Sequence, residues 1–163
     1  MVVESARQFS IPDSDLFLLD TGYNHFLKGQ DTSFRSQIQN HYQPLQALYF
    51  NREGKLVSFQ VNCYAGGFPN LNWKRNGIFE AFPPLTQAPI DGLLPLPTLL
   101  RLIRPLPGSQ AIDPAQTDYL VFVFWNRFMG RQTRRLLETV RENSRLANGQ
   151  KVRLVYLNND NLF

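Results

Sequence analysis

The side chains in this chain that could do chemistry are few and scattered. Cys63 is the one thiol among 163 residues, and His25 and His41 are the two imidazoles. Cys63 lies in "VNCYAGG", at an expected strand end beside a glycine-rich loop. A thiol becomes a nucleophile when a base lies within hydrogen-bond reach, so Cys63 with either histidine could form a nucleophile–base pair. The competing and weightier expectation is a small buried apolar group. A single cysteine excludes an intramolecular disulfide and a cysteine-based zinc cluster. His25, His41, Asp20 and Asp31 form no recognised metal spacing, and no cofactor is expected. The stretch "AGGFPN" has glycines but lacks the Lys-Ser/Thr ending and the following helix of a phosphate loop. "NLNWKRNGIF" mixes basic and aromatic residues that could stack on bases. Against that stands the reading of Trp73 as an anchor that fastens a loop to the core.

The elements that must position these groups can be read from periodicity and punctuation. A length of 163 residues with 43% hydrophobic and 13% aromatic residues is enough for one domain with a real core. No apolar run approaches the roughly 18 residues needed to span a bilayer. "MVVESARQFS" has no apolar h-region, so a soluble protein is expected, cytoplasmic or exported with a signal already removed. "DSDLFLLDTG" reads as a strand ending in a turn. Residues 23–42 are polar and aromatic, with a helical turn or two expected over Ser33–Asn40. Leu45–Phe50 and Leu56–Val61 form a hairpin around "NREG", whose glycine can take a positive φ. Residues 65–84 read as an irregular loop with a short strand over Ile78–Phe82. "TLLRLIR", between Pro97 and Pro105, reads as two helical turns opened by Pro97 and closed by Pro105. "GSQAIDPAQTD" reads as a surface linker.

The last third is the most regular. Tyr119–Trp125 is a nearly unbroken apolar run, as in a strand covered on both faces. Gly130 to about Ala147 reads as an amphipathic helix stopped by "NG". Thr133, Leu136, Leu137, Val140 and Ala147 lie on one side of it, and Arg131, Arg134, Arg141 and Arg145 lie opposite. Lys151–Asn158 follows as a strand. Strand, helix and strand with short connections predict a parallel, right-handed βαβ unit. The arginine stripe could meet an anion, although a solvated face laced with Arg–Glu pairs is the stronger expectation.

Within this unit, "FWNRFMGRQTRRLLETV" resembles the thioredoxin-family passage Phe-Trp-x-x-Trp-Cys-x-x-Cys-Arg and its helix. Phe124 and Trp125 match the end of the family's strand, Phe128 its aromatic before the motif and Gly130 its glycine. Met129 and Gln132 stand at the two cysteine positions, and Arg131 replaces the usual proline. "QPLQALYFNREGKLVSF" is similar to the family's later hairpin, where a cis-proline faces the active site; Pro44 would be its counterpart. In this chain the hairpin precedes the βαβ unit, whereas in the family it follows, so the resemblance implies a permuted order. Dithiol exchange needs a thiolate and a resolving thiol. Met129 and Gln132 supply neither, so disulfide oxidoreductase activity is not expected. The resemblance therefore implies a non-redox domain that binds.

A second resemblance rests on "LFLLDTGYN". Asp-Thr-Gly after an apolar run is similar to the active-site strand of retroviral-type aspartic proteases, with "PIDGLLPLPTLL" as a loose match to a later segment. That would make Asp20 half of a shared-proton dyad in a dimer. Tyr23 replaces the small residue expected after the glycine, and a turn rich in Asp and Gly explains the triplet more simply.

The expected fold is thus a single α/β domain: a mixed sheet with a thioredoxin-like βαβ unit, a preceding hairpin, and helices on the sheet faces. The expected ligand-binding residues are Asn126, Arg127, Met129, Arg131, Gln132, Pro44 and Cys63. A protein partner or a small anionic ligand would meet them. Nucleic acid is not the expected partner, because a net charge of +4 is too small to indicate it.

Overall fold

The computed structural model describes residues 1–63 and 72–163. Six strands form one mixed sheet. They are β1 (Leu16–Leu19), β2 (Gln46–Asn51), β3 (Leu56–Val61), β4 (Ile103–Pro105), β5 (Tyr119–Trp125) and β6 (Val152–Asn158). Their spatial order is β3-β2-β5-β6-β1-β4. The β5 and β6 strands are parallel neighbours, β1 runs parallel to β6, and β2 lies antiparallel to both β3 and β5. Among the described residues five α-helices cover the sheet: α1 (Val2–Gln8), α2 (Gly22–Lys28), α3 (Arg35–His41), α4 (Leu96–Arg101) and α5 (Gly130–Ser144).

The apolar run in β5 supplies both faces of the core. Leu120, Phe122 and Phe124 pack with α2, α4 and the hairpin residues Leu48, Phe50, Phe59 and Val61. Val121, Val123 and Trp125 pack on the opposite face with α1, α5, Trp73 and Phe79. Alternation along a fully covered strand is what makes it read as continuously hydrophobic. In α5 the inward stripe is Thr133, Leu136, Leu137, Thr139, Val140 and Asn143. Gly54 in the hairpin turn takes φ +77°, the conformation its lack of Cβ permits.

Several local expectations change. The helix over 98–104 ends at Arg101, and Ile103–Pro105 becomes edge strand β4, which pairs with β1. Three residues beside an open edge gain ladder hydrogen bonds that a last helical turn before Pro105 would lack. Residues Arg75–Glu80 form 3-10 turns rather than a strand over 78–82, with Asn76 and Gly77 at positive φ. The amphipathic helix stops at Ser144 rather than about Ala147. The expectations for residues 64–71, including "AGGFPN" and the loop after Cys63, lie outside the described residues.

Candidate functional site

Three parallel strands, β5, β6 and β1, end on the same edge of the sheet, and the crevice outside such carboxyl ends is where open α/β sheets bind ligands. The antiparallel hairpin brings the start of β2 and the end of β3 to that same edge: Gln46 pairs with Phe124 on one side and with Val61 on the other. Pro44, Cys63, Asn126 and the entrance to α5 therefore share one end of the molecule, although they are separated by up to 86 residues in the chain.

An asparagine relay organises this edge. The Asn126 side chain is buried, and its Oδ1 accepts from the Met129 amide at 2.9 Å. Its Nδ2 donates to Asn159 Oδ1 at 3.3 Å, and Asn159 Nδ2 donates to the Pro44 carbonyl at 2.8 Å. The Thr133 hydroxyl, one turn into α5, donates to the Asn126 carbonyl at 2.8 Å. The turn between β5 and α5 is thus fixed from below by side chains, as buried polar groups require. The Gln43–Pro44 bond is trans; the cis bond among the described residues is Phe82–Pro83. This departs from the cis-proline that the resemblance implies for Pro44.

Arg127 is not a free cation. Its backbone amide donates to Asp160 Oδ1 at 2.8 Å and its Nε to Asp160 Oδ2 at 2.5 Å. Arg131 is exposed on the first turn of α5 and carries no partner among the described residues. Met129 is half-buried against the α5 face of the core, and Gln132 holds its Oε1 buried without a partner. Phe128, by contrast, is 69% exposed at the tip of the turn. It is a large apolar side chain that the fold leaves in water while fixing the residues on both sides of it.

The other sequence candidates resolve into structural roles. Asp20 Oδ1 accepts from the Gly22 amide at 2.7 Å, and its Oδ2 pairs with Arg104 Nε at 3.0 Å, so this carboxylate shapes the turn into α2. Cys63 is a half-buried free thiol, and His25 is exposed on α2. Trp73 is buried in the core, as a loop anchor should be. The arginine stripe on α5 is broken. Arg141 turns inward to the Phe9 and Ser10 carbonyls at 2.7 and 3.1 Å, and Arg134 lies over the Phe9 ring. Among the described residues no cluster of metal-ligating side chains occurs. No helix among them is long and apolar enough to cross a membrane.

One buried constellation escaped sequence reasoning. His41 is fully buried, stacked on Phe59 at 4.5 Å, with Nε2 at 2.8 and 3.0 Å from the two Asp91 oxygens. The Tyr23 hydroxyl and Gln46 Nε2 donate to the His41 carbonyl, at 2.5 and 2.7 Å. Burial pushes the Tyr23 phenol pKa up, and nearby Asp91 adds to the shift against the opposing hydrogen bond with Gln46. A His–Asp pair resembles half of a hydrolytic triad in composition. Here the imidazole is fully buried and the Asp91 side chain is 10% exposed, and the pair fastens the segment around Asp91 to α3. Fifty residues separate the two, so no local spacing signalled the pair.

No family model, curated protein or solved structure matches this chain.

Proposed function

We propose that the chain is a non-redox relative of the thioredoxin fold that works as a binding module, taking a protein partner on the turn around Phe128. The permuted reading is supported by the hairpin lying antiparallel beside β5, which brings Pro44 to the edge where α5 begins. The Asn126–Asn159–Pro44 relay links the two motifs physically. The absence of thiols at 129 and 132 removes exchange chemistry, because a thioether and an amide cannot form a mixed disulfide.

The observation that carries the proposal is the exposed Phe128 on a turn held rigid by Asn126 and Asp160. A pre-ordered aromatic is a low-entropy anchor for a partner's pocket. An anionic ligand is the weaker reading, since Asp160 already neutralises Arg127 and, among the described residues of this turn, Arg131 is the cation left without a partner.

The test is selection of peptides from a display library on the immobilised full chain, followed by amide NMR mapping. Selected peptides should perturb residues 126–132 and the neighbours of Pro44. Burying an exposed Phe is worth roughly 1.5–3 kcal/mol, so Phe128→Ala should weaken binding by about ten-fold or more with an unchanged melting temperature. Peptides that bind Phe128→Ala as well as the parent would refute the site. Catalysed insulin reduction would refute the non-redox assignment.

A further inference from the structure

The strand β6 ends at Asn158, and the five residues that follow it cross the edge where β5, β6 and β1 end. They are fastened to that edge at successive points. Asn159 donates its amide to the Trp125 carbonyl at 3.0 Å and its Nδ2 to the Pro44 carbonyl at 2.8 Å. Asp160 clasps Arg127, and Asn161 Nδ2 donates to the Leu19 carbonyl at 3.1 Å. Leu162 packs against the core on the α2 and α4 face, and the Phe163 ring meets Tyr42 edge-on at 5.7 Å.

This segment links the two faces of the sheet. Its Asp160 end holds the turn that enters α5, and its Leu162 end is seated on the face opposite α5. It lies beyond the last paired residue of β6 and is held chiefly by side chains, so it opens locally at lower cost than the sheet centre. Opening it takes Asp160 away from Arg127. The Arg127 amide then loses its acceptor at 2.8 Å, and the guanidinium loses its carboxylate. Phe128 is the next residue, so the aromatic tip is left on a turn that keeps Asn126 but has lost Asp160.

We propose that residues 159–163 are a strap whose docking sets whether the Phe128 turn is presented in its binding form. The regulation rests on the reading of Phe128 as a partner's anchor, whereas the strap's control of the turn is a property of the chain alone. A partner that takes Phe128 from the clamped turn binds the docked state better than the open one, and by linkage its binding holds the strap down. A change at the Leu162 seat, across the sheet from α5, reaches Phe128 through Asp160.

Amide hydrogen exchange of the full chain tests strap and turn together. Leu162→Asp prevents seating, because an unpaired carboxylate is not tolerated in an apolar site, and Leu162→Ala is the milder second variant. Relative to residues 121–123 at the sheet centre, the Arg127 amide should exchange about ten-fold faster in Leu162→Ala and about a hundred-fold faster in Leu162→Asp. Peptides selected on Phe128 should bind Asp160→Ala about three- to ten-fold more weakly, Leu162→Asp to the same extent, and the combined variant no more weakly than either. Bound peptide should in turn slow exchange of the Leu162 amide. An Arg127 amide unmoved by both Leu162 variants, additive losses of affinity in the combined variant, or strap exchange indifferent to bound peptide would each overturn the proposal. If no peptide binds at Phe128, the partner reading fails, and the Arg127 exchange rate still decides whether the strap orders the turn.

Discussion

Replacing Asn126 by alanine should uncouple the two halves of the candidate site, and the cost can be worked from its contacts. The Met129 amide loses the side-chain acceptor that shapes the start of α5, a loss of about 1 kcal/mol for a helix-entry bond of this kind. Asn159 Oδ1 loses its donor in a buried setting, which costs about 1–3 kcal/mol. Together the variant should lose about 2–4 kcal/mol. For a chain of this size each kcal/mol moves the melting temperature by roughly 2–4 °C, so a fall of roughly 4–16 °C is expected by calorimetry. Asn126→Asp restores an acceptor for Met129 but no donor for Asn159, and should recover only the first part. Amide exchange should quicken at Met129 and Thr133 before the sheet centre opens. A fall below about 1 °C in Asn126→Ala, or full recovery in Asn126→Asp, would refute the view that this relay orders the edge.

Two buried tyrosines, Tyr49 and Tyr23, should respond in opposite directions to loss of their hydroxyls. Tyr49 carries a buried hydroxyl with no partner, so Tyr49→Phe should be neutral or stabilising by up to about 1 kcal/mol in urea unfolding. Tyr23→Phe deletes the bond to the His41 carbonyl and should cost about 1 kcal/mol in the same assay. Burial raises the phenol pKa of Tyr23, Tyr49 and Tyr156 above the ordinary value of 10.0. The folded state then holds these protons more tightly than the unfolded chain, so their contribution is complete below about pH 10 and declines as the pH rises beyond it. Phenolate absorbance of the three should appear together with loss of far-ultraviolet ellipticity; earlier ionisation would contradict their burial. His41→Leu strands a largely buried Asp91 carboxylate and should cost about 3–5 kcal/mol, whereas His41→Leu/Asp91→Leu should cost less than the summed single variants in a double-mutant cycle.

The sequence made the βαβ unit and the hairpin legible because each declares its period locally. Tyr119–Trp125 is apolar on both faces, the α5 stripe repeats at helical spacing, and "NREG" punctuates the hairpin. Shorter elements carried less signal. Val2–Gln8 and Gly22–Lys28 are seven-residue helices whose stability comes from Ala6, Tyr23 and Leu27 packing on the sheet, a tertiary effect that no window reveals. At Ile103–Pro105 the prolines suggested a helix stop, but nothing local showed that β1 would be there to receive a strand. The candidate site was legible in part. Asn126 through Gln132 stood out through the resemblance, and pairing of the hairpin with β5 brings Pro44 and Cys63 to the same edge. The bonds made by Asn159 and Asp160 carried no local signal. Their role depends on β6 lying beside β5, where they reach Pro44 and Arg127.

The placement of β1 has a consequence for how the molecule is made. This strand sits between β6 and β4, with Leu16 opposite Tyr156, so one of its two flanks is supplied by residues translated about a hundred and forty positions later. A nascent chain can close the β2–β3 hairpin early, and can dock β4 on β1 once that segment has left the ribosome. The backbone amides and carbonyls on the other flank of β1 stay wet until Val152–Asn158 emerges. Completion of the sheet is therefore a late, cooperative event in synthesis, and a ribosome stalled before β6 would display an open strand edge for chaperones to shield.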